Sequence, residues 1–151
     1  MTKNLAPVKE ITEQALDKFW ETVPPLWSNI RAHIRAAAAE KFSISIEQFQ
    51  VLRLVRSGRG SVSKLAVAKN ISRPAISQAV DTLVNKGLLT RTQDIQDRRH
   101  VQLALTASGN ALLDALFQDT RSWMRARLAC FSQSELERVV QVMESLKKML
   151  D

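Results

Sequence analysis

The apolar residues of this 151-residue chain recur every three or four positions almost throughout, and every second position in one short stretch only. That change of period limits the fold more than any other feature. A period near 3.6 builds helices with one apolar face, and a period of two builds strands. Leu16, Phe19, Trp20, Val23, Trp27, Ile30 and Ile34 trace a first helical stripe, continued by Ala36 to Ala39 until about Lys41. Phe49, Leu52 and Val55 trace a second helix, and Val62, Leu65, Ala66 and Ala68 a short third. Ile76, Val80, Leu83 and Val84 trace a fourth. Leu88 to Arg91 then reads as a short strand. Val101, Leu103 and Leu105, alternating with Gln102 and Ala104, read as its partner, with the polar run 92–99 as the turn. Helix returns with Leu112, Leu113, Leu116, Phe117, Thr120, Trp123, Met124 and Leu128. It returns again with Leu136, Val139, Val140, Met143, Leu146 and Leu150. The expectation is a mainly α chain with one small β-hairpin, and 45% hydrophobic residues suffice for a core.

Local signals set the boundaries. Ser45-Ile-Glu-Gln48 and Ser132-Gln-Ser-Glu135 have the spacing of capping boxes, in which serine and the fourth side chain satisfy each other's backbone N–H. Ser57-Gly58-Arg59-Gly60 reads as a loop, and Ile71 as a buried hinge before an N-cap at Ser72. Pro74 falls in a first helical turn, where a missing N–H costs nothing, and Gly87 reads as a C′ glycine. Thr106 is an N-cap candidate. Pro24 and Pro25 interrupt the first stripe and predict a kink or a break.

Charge separates the chain into three parts. Between Arg53 and His100 ten Lys and Arg face three Asp, so this segment carries the whole formal net charge of +7. A concentrated basic surface suits a polyanion, nucleic acid above all, while a solubilising face is the bland alternative. The fourth helix shows how such a partner could be read. With Ile76 inward, Gln78 lies about 200° away around the helix, and Pro74, Asp81 and Asn85 fall on the same outward side. Gln can contact adenine bidentately in a major groove. Ser72, Arg73 and Ser77 lie near the N-terminus, where N–H groups and dipole favour phosphate. Asp81 would oppose phosphate unless it pairs with a nearby arginine or selects against wrong sequences.

Helix, short helix, capped helix and charged hairpin in this order make a winged helix-turn-helix. Ser61-Val-Ser-Lys-Leu-Ala66, Ile71-Ser-Arg-Pro-Ala-Ile-Ser-Gln78, Val80-Asp-Thr-Leu83, Lys86-Gly-Leu88, and Asp97-Arg-Arg99 followed by Val101-Gln-Leu-Ala-Leu-Thr106 resemble the MarR family of bacterial transcriptional regulators. The likeness covers about residues 45 to 115 in detail. It implies a winged lobe over residues 45–105, flanked by dimerisation helices over 8–44 and 106–151. It implies DNA contacts from Ser61, Ser63, Ser72, Arg73, Pro74, Ser77 and Gln78. It puts Arg99 in a minor groove, Arg98 on phosphate or groove, and Asp97 in support of the wing. Narrow minor grooves attract arginine electrostatically in any case. A twofold dimer would set two recognition helices about 34–36 Å apart on a palindromic operator. An intrachain bundle around a monomeric lobe is the other use for the flanking helices.

The expected function is that of a sequence-specific regulator of double-stranded DNA, a homodimeric repressor in the cytoplasm; the alternative is a sequence-nonspecific architectural or nucleoid protein. The resemblance also implies a small aromatic or phenolic effector, with Trp20, Trp27 and Arg31 as candidate pocket residues and the guanidinium for a carboxylate. Tryptophans at helical spacing equally fit a core stripe. Enzyme chemistry is not expected: Gly58-Arg-Gly60 lacks the lysine of a phosphate loop, and two histidines and one cysteine assemble no catalytic set. No cofactor or metal is expected, and Cys130 reads as a structural thiol. Residues 1–7 hold no apolar signal core, and no apolar run reaches about 18 residues, so no membrane partner is expected.

Overall fold

A computed structural model describes residues 6–93 and 101–150. The elements are α1 (Ala6–Phe42), α2 (Ile46–Arg56), α3 (Val62–Lys69), α4 (Arg73–Asn85), β1 (Leu89–Gln93), β2 (Val101–Leu105), α5 (Ala107–Leu128) and α6 (Gln133–Leu146), with a 3-10 turn at Lys147–Met149. The chain divides into two units after Leu116, partway along α5.

In the first unit the buried apolar side chains begin at Ala37 and Ala38 on α1 and end at Leu113 and Leu116 on α5. Between them Phe49, Val51, Leu52 and Val55 of α2, Leu65 and Ala66 of α3, and Ile76, Val80 and Leu83 of α4 close a core with Leu88, Leu89 and Leu103. The three-to-four spacing of those stripes is what turns each helix inward. Helix α1 ends at Ser43, whose φ of 53° is left-handed, and the Ile44 N–H returns to the Ala38 carbonyl at 3.0 Å. The Lys86 ammonium also donates to the Ser43 carbonyl.

The expected capping box of α2 is present. The Ser45 hydroxyl accepts from the Gln48 N–H, and the Gln48 side-chain oxygen accepts from the Ser45 N–H, both at 3.1 Å. In the same first turn, its own backbone N–H and the Ser45 hydroxyl hold the Glu47 carboxyl below the usual glutamate range. The turn between α3 and α4 differs from expectation. Ile71 is 37% exposed rather than buried. The bend is made by Asn70 in the left-handed region (φ 51°), so no apolar hinge is required. Ser72 occupies the N-cap of α4 by backbone geometry, but its side chain makes no capping bond.

Of the kink or break expected at Pro24 and Pro25, the break is absent: helix α1 is continuous through both. The prolines forgo bonds to the Trp20 and Glu21 carbonyls; both residues are exposed, so water can take those oxygens. Strand β1 begins one residue later than expected and continues two residues further, to Gln93, which pairs with Val101. Backbone pairing asks nothing of side-chain polarity, so the polar residues at its end still join the ladder.

Close backbone contacts fix the feet of the hairpin. The Thr106 N–H donates to the Leu88 carbonyl at 3.2 Å, and its hydroxyl donates to the Gly87 carbonyl at 2.7 Å while accepting the Gly109 N–H at 2.9 Å. Gly87 sits at φ 70°, as a C′ glycine should. A Cβ on Gly109 would lie 2.1 Å from the Leu88 carbonyl oxygen.

The second unit holds the rest of α5, then α6, which opens on the expected Ser132–Glu135 capping box. Among its described residues only Thr120 is buried. Val140, Met143 and Leu150 of the last stripe are exposed, as are Val8, Ile11 and Leu16 on α1. Cys130 is exposed, its thiol donating to the Arg127 carbonyl at 3.1 Å, so it does not pack as a core thiol.

Gly109→Ala separates two effects of opposite sign. Helix propensity alone predicts a gain of roughly 1 kcal/mol. The clash with the Leu88 carbonyl predicts a loss of about 1–3 kcal/mol, and we expect the loss, read as a lowered midpoint in denaturant unfolding.

Candidate nucleic-acid interface

The basic segment and the outward face of α4 share the first unit. No Asp or Glu occurs between Gln48 and Val80, while Arg53, Arg56, Arg59, Lys64, Lys69 and Arg73 do. Not all of the segment's cations face solvent unpartnered. Arg56 pairs with Asp114 at 2.7 Å, Arg91 pairs with Asp81 at 2.6 Å, and Lys86 serves the end of α1. Arg59, Lys64 and Arg73 are exposed around α3 and the start of α4.

Helix α4 presents its expected faces. Ile76, Val80 and Leu83 are buried, whereas Pro74, Gln78, Asp81 and Asn85 are exposed. Ser72 and Arg73 at the N-terminus are exposed and Ser77 is half-buried. Pro74 in the first turn removes one N–H from those that could reach an anion, leaving the amides of its neighbours. Ser61 caps α3, its hydroxyl accepting from the Lys64 N–H at 3.3 Å, and Ser63 is exposed two residues further on. Six of the expected contacts, Ser63, Ser72, Arg73, Pro74, Gln78 and half-buried Ser77, are thus accessible on one lobe, and Ser61 is committed in part to its cap. Asp97, Arg98 and Arg99 lie outside the described residues.

Two features were not legible as site elements. Gly60, read as loop, supports the wing: its carbonyl accepts the Leu103 N–H at 2.7 Å, and a Cβ there would approach the Leu103 carbonyl oxygen to 2.9 Å. Arg91, legible as a basic residue at the end of a strand, is the nearby arginine that pairs with Asp81.

The candidate effector residues come together only in part. Trp27 and Arg31 line a shallow depression on α1 with Pro24, Ser28, Ala32 and Arg35. Trp20 does not line it and meets the Phe19 ring edge-on, centroids 5.9 Å apart. Trp20 is 68% exposed and Trp27 54%, so neither forms part of the core stripe. All six lining residues come from one helix. Among the described residues no cluster of His, Cys, Asp or Glu could hold a metal ion, and no helix is long and apolar enough to cross a membrane.

A family profile described as the MarR family matches residues 44–101. YpoP of Bacillus subtilis, an uncharacterized HTH-type transcriptional regulator, is 26% identical over 106 residues, spanning 70% of this chain and 75% of YpoP. Residues 44–101 thus carry a MarR-family segment, and the chain is similar in sequence to HTH-type transcriptional regulators. Its fold is that of solved MarR-type structures. The transcriptional regulator Tm0710 of Thermotoga maritima superposes with a TM-score of 0.79 at 19% identity, covering 89% of this chain and 94% of that one. A mutant of MepR from S. aureus bound to an oligodeoxyribonucleotide superposes with a TM-score of 0.68 at 21% identity, covering 87% of this chain and 98% of that one.

Gln78 is an exposed amide on the outer face of α4, in the middle of the helix. Replacing Gln78 by Ala should relax base preference at one position per half-site by about 1–3 kcal/mol, read by selection from randomised duplexes. An unaltered selection profile would exclude base reading by Gln78.

Proposed function

We infer that this chain is a sequence-specific repressor, a homodimer that occupies a palindromic operator in the bacterial or archaeal cytoplasm. The observation that carries the reading is the exposed face of α4, with Pro74, Gln78 and Asn85 set in a lobe that bears the chain's entire net positive charge. A nonspecific binder needs only phosphate contacts, whereas this face offers an amide pair suited to base edges. Ser61, Ser63, Ser72, Arg73 and Ser77 hold the phosphates that flank it. Arg99 enters the minor groove, Arg98 neutralises backbone, and Asp97 supports the wing.

Dimerisation is supported by apolar side chains with no cover in the protomer: Val8, Ile11 and Leu16 on α1, and Val140, Met143 and Leu150 at the C-terminal end. A twofold axis would set two α4 helices one DNA turn apart, about 34–36 Å. Repression follows from occupancy of promoter DNA and needs no further surface. A small aromatic acid relieves it at Trp27 and Arg31, where the ring stacks and the guanidinium takes the carboxylate.

Footprinting on DNA recovered by selection tests the whole reading. A palindromic protected site supports it, and uniform protection without preference would favour an architectural protein instead. Arg99→Ala should weaken operator binding by roughly 10- to 100-fold, leaving the dimer intact by light scattering; unchanged affinity would remove Arg99 from the interface. A panel of aromatic acids should release wild-type protein from the operator, and Arg31→Ala should blunt that release without changing affinity in the absence of acid.

A further inference from the structure

A single rung of the hairpin is anchored on both sides. Arg91 of β1 stands opposite Leu103 of β2. From Leu103 the backbone N–H runs outward to the Gly60 carbonyl at 2.7 Å, in the loop before α3. From Arg91 the guanidinium runs the other way to the Asp81 carboxylate at 2.6 Å, on the reading face of α4. The line Gly60–Leu103–Arg91–Asp81 therefore crosses the lobe from that loop to the recognition helix. Its two ends differ in kind. The Gly60 end is backbone on backbone, with no room for a side chain. The Asp81 end is an ion pair whose side chains remain 36% and 55% exposed.

A pair so exposed adds little to fold stability. Its position gives it a different effect. A carboxylate on the face that meets DNA repels phosphate, and Arg91 offsets that charge while giving up its own contact with the backbone of the duplex. What the lobe gains is a fixed angle between α4 and the root of the wing, the two parts that must enter adjacent grooves together.

We propose that Asp81 is a positioning residue for operator recognition: through Arg91 it sets the wing against α4, so discrimination between operator and other DNA depends on a carboxylate that reads no base. This rests on the sequence-specific reading above. The rung predicts that Asp81 and Arg91 act as one unit. It also predicts that losing Asp81 alone releases one cation to the phosphates.

The test compares wild type, Asp81→Asn, Arg91→Gln, the double variant and Asp81→Glu. Each is titrated against the duplex that wild type selects from a randomised pool and against a random duplex of equal length, across a salt series. Asp81→Asn should lower the operator-to-random affinity ratio about tenfold, tighten random-duplex binding, and steepen the salt slope by about 0.9, one further phosphate. Arg91→Gln should lower the ratio without steepening the slope. Asp81→Asn should lower the ratio no further in the Arg91→Gln background, and Asp81→Glu, which keeps the charge, should restore the ratio. An unchanged ratio in Asp81→Asn overturns the proposal, as does an effect that persists in full without Arg91. A selection profile altered at one base position overturns it too, since Asp81 would then read DNA directly. Wild type without preference for any duplex would sink the sequence-specific reading and this inference together; preference in wild type with an unchanged Asp81→Asn ratio sinks only the inference.

Discussion

The hydroxyl of Thr106 joins the end of one element of the reading lobe to the start of another. It donates to Gly87, just past α4, and accepts from Gly109, in the first turn of α5, while the Thr106 N–H reaches Leu88. The whole hairpin leaves the body of the lobe between Gly87 and Thr106, so this one residue clamps both of its feet. Without the clamp the two feet of the hairpin would be joined only through its own ladder, and closing the loop between them would cost more chain entropy. The clamp in turn depends on a glycine at 109, because only a missing Cβ lets α5 start so close to the Leu88 carbonyl.

Around that clamp the cations of the basic segment divide into two groups. Arg59, Lys64 and Arg73 face solvent near α3 and α4, where a cation can attract any polyanion and loses effect as salt rises. Other cations of the same segment are spent inside the protein: Arg56 on Asp114, Lys86 on the end of α1, Arg91 on Asp81. A formal charge of +7 therefore overstates what DNA meets, and part of it holds the lobe in shape.

What the sequence made legible follows from what side chains report. Periodicity reports burial, so every helix, both strands and the inward face of α4 could be read from it. Capping boxes at Ser45 and Ser132 and the glycine at 87 report backbone needs through specific side chains, and they too were readable. The pairing of Asp81 with an arginine could be expected because an uncompensated carboxylate on that face is costly. Backbone-to-backbone contacts leave no such trace. Gly60 has the sequence of a loop yet serves as an edge partner for β2, and Asn70, not Ile71, makes the turn before α4. Strand β1 ran past its last apolar residue because ladder bonds are indifferent to polarity. Trp20 and Trp27 shared a stripe in sequence, yet only Trp27 joins Arg31 in the depression on α1.

Among the described residues the buried apolar side chains run from Ala37 to Leu116, while Val8, Ile11 and Leu16 near one end and Val140, Met143 and Leu150 near the other stay exposed. An arm with nothing to cover it gains its stability from association, and that gain scales with the logarithm of protomer concentration. Where two copies supply each other's cover, the amount of competent protein rises with the square of the protomer level at low abundance. Under the proposed dimer, dosage would become a control input in its own right: at low abundance, halving the copy number would remove about three-quarters of the paired form, a sharpening that a self-sufficient monomer would lack.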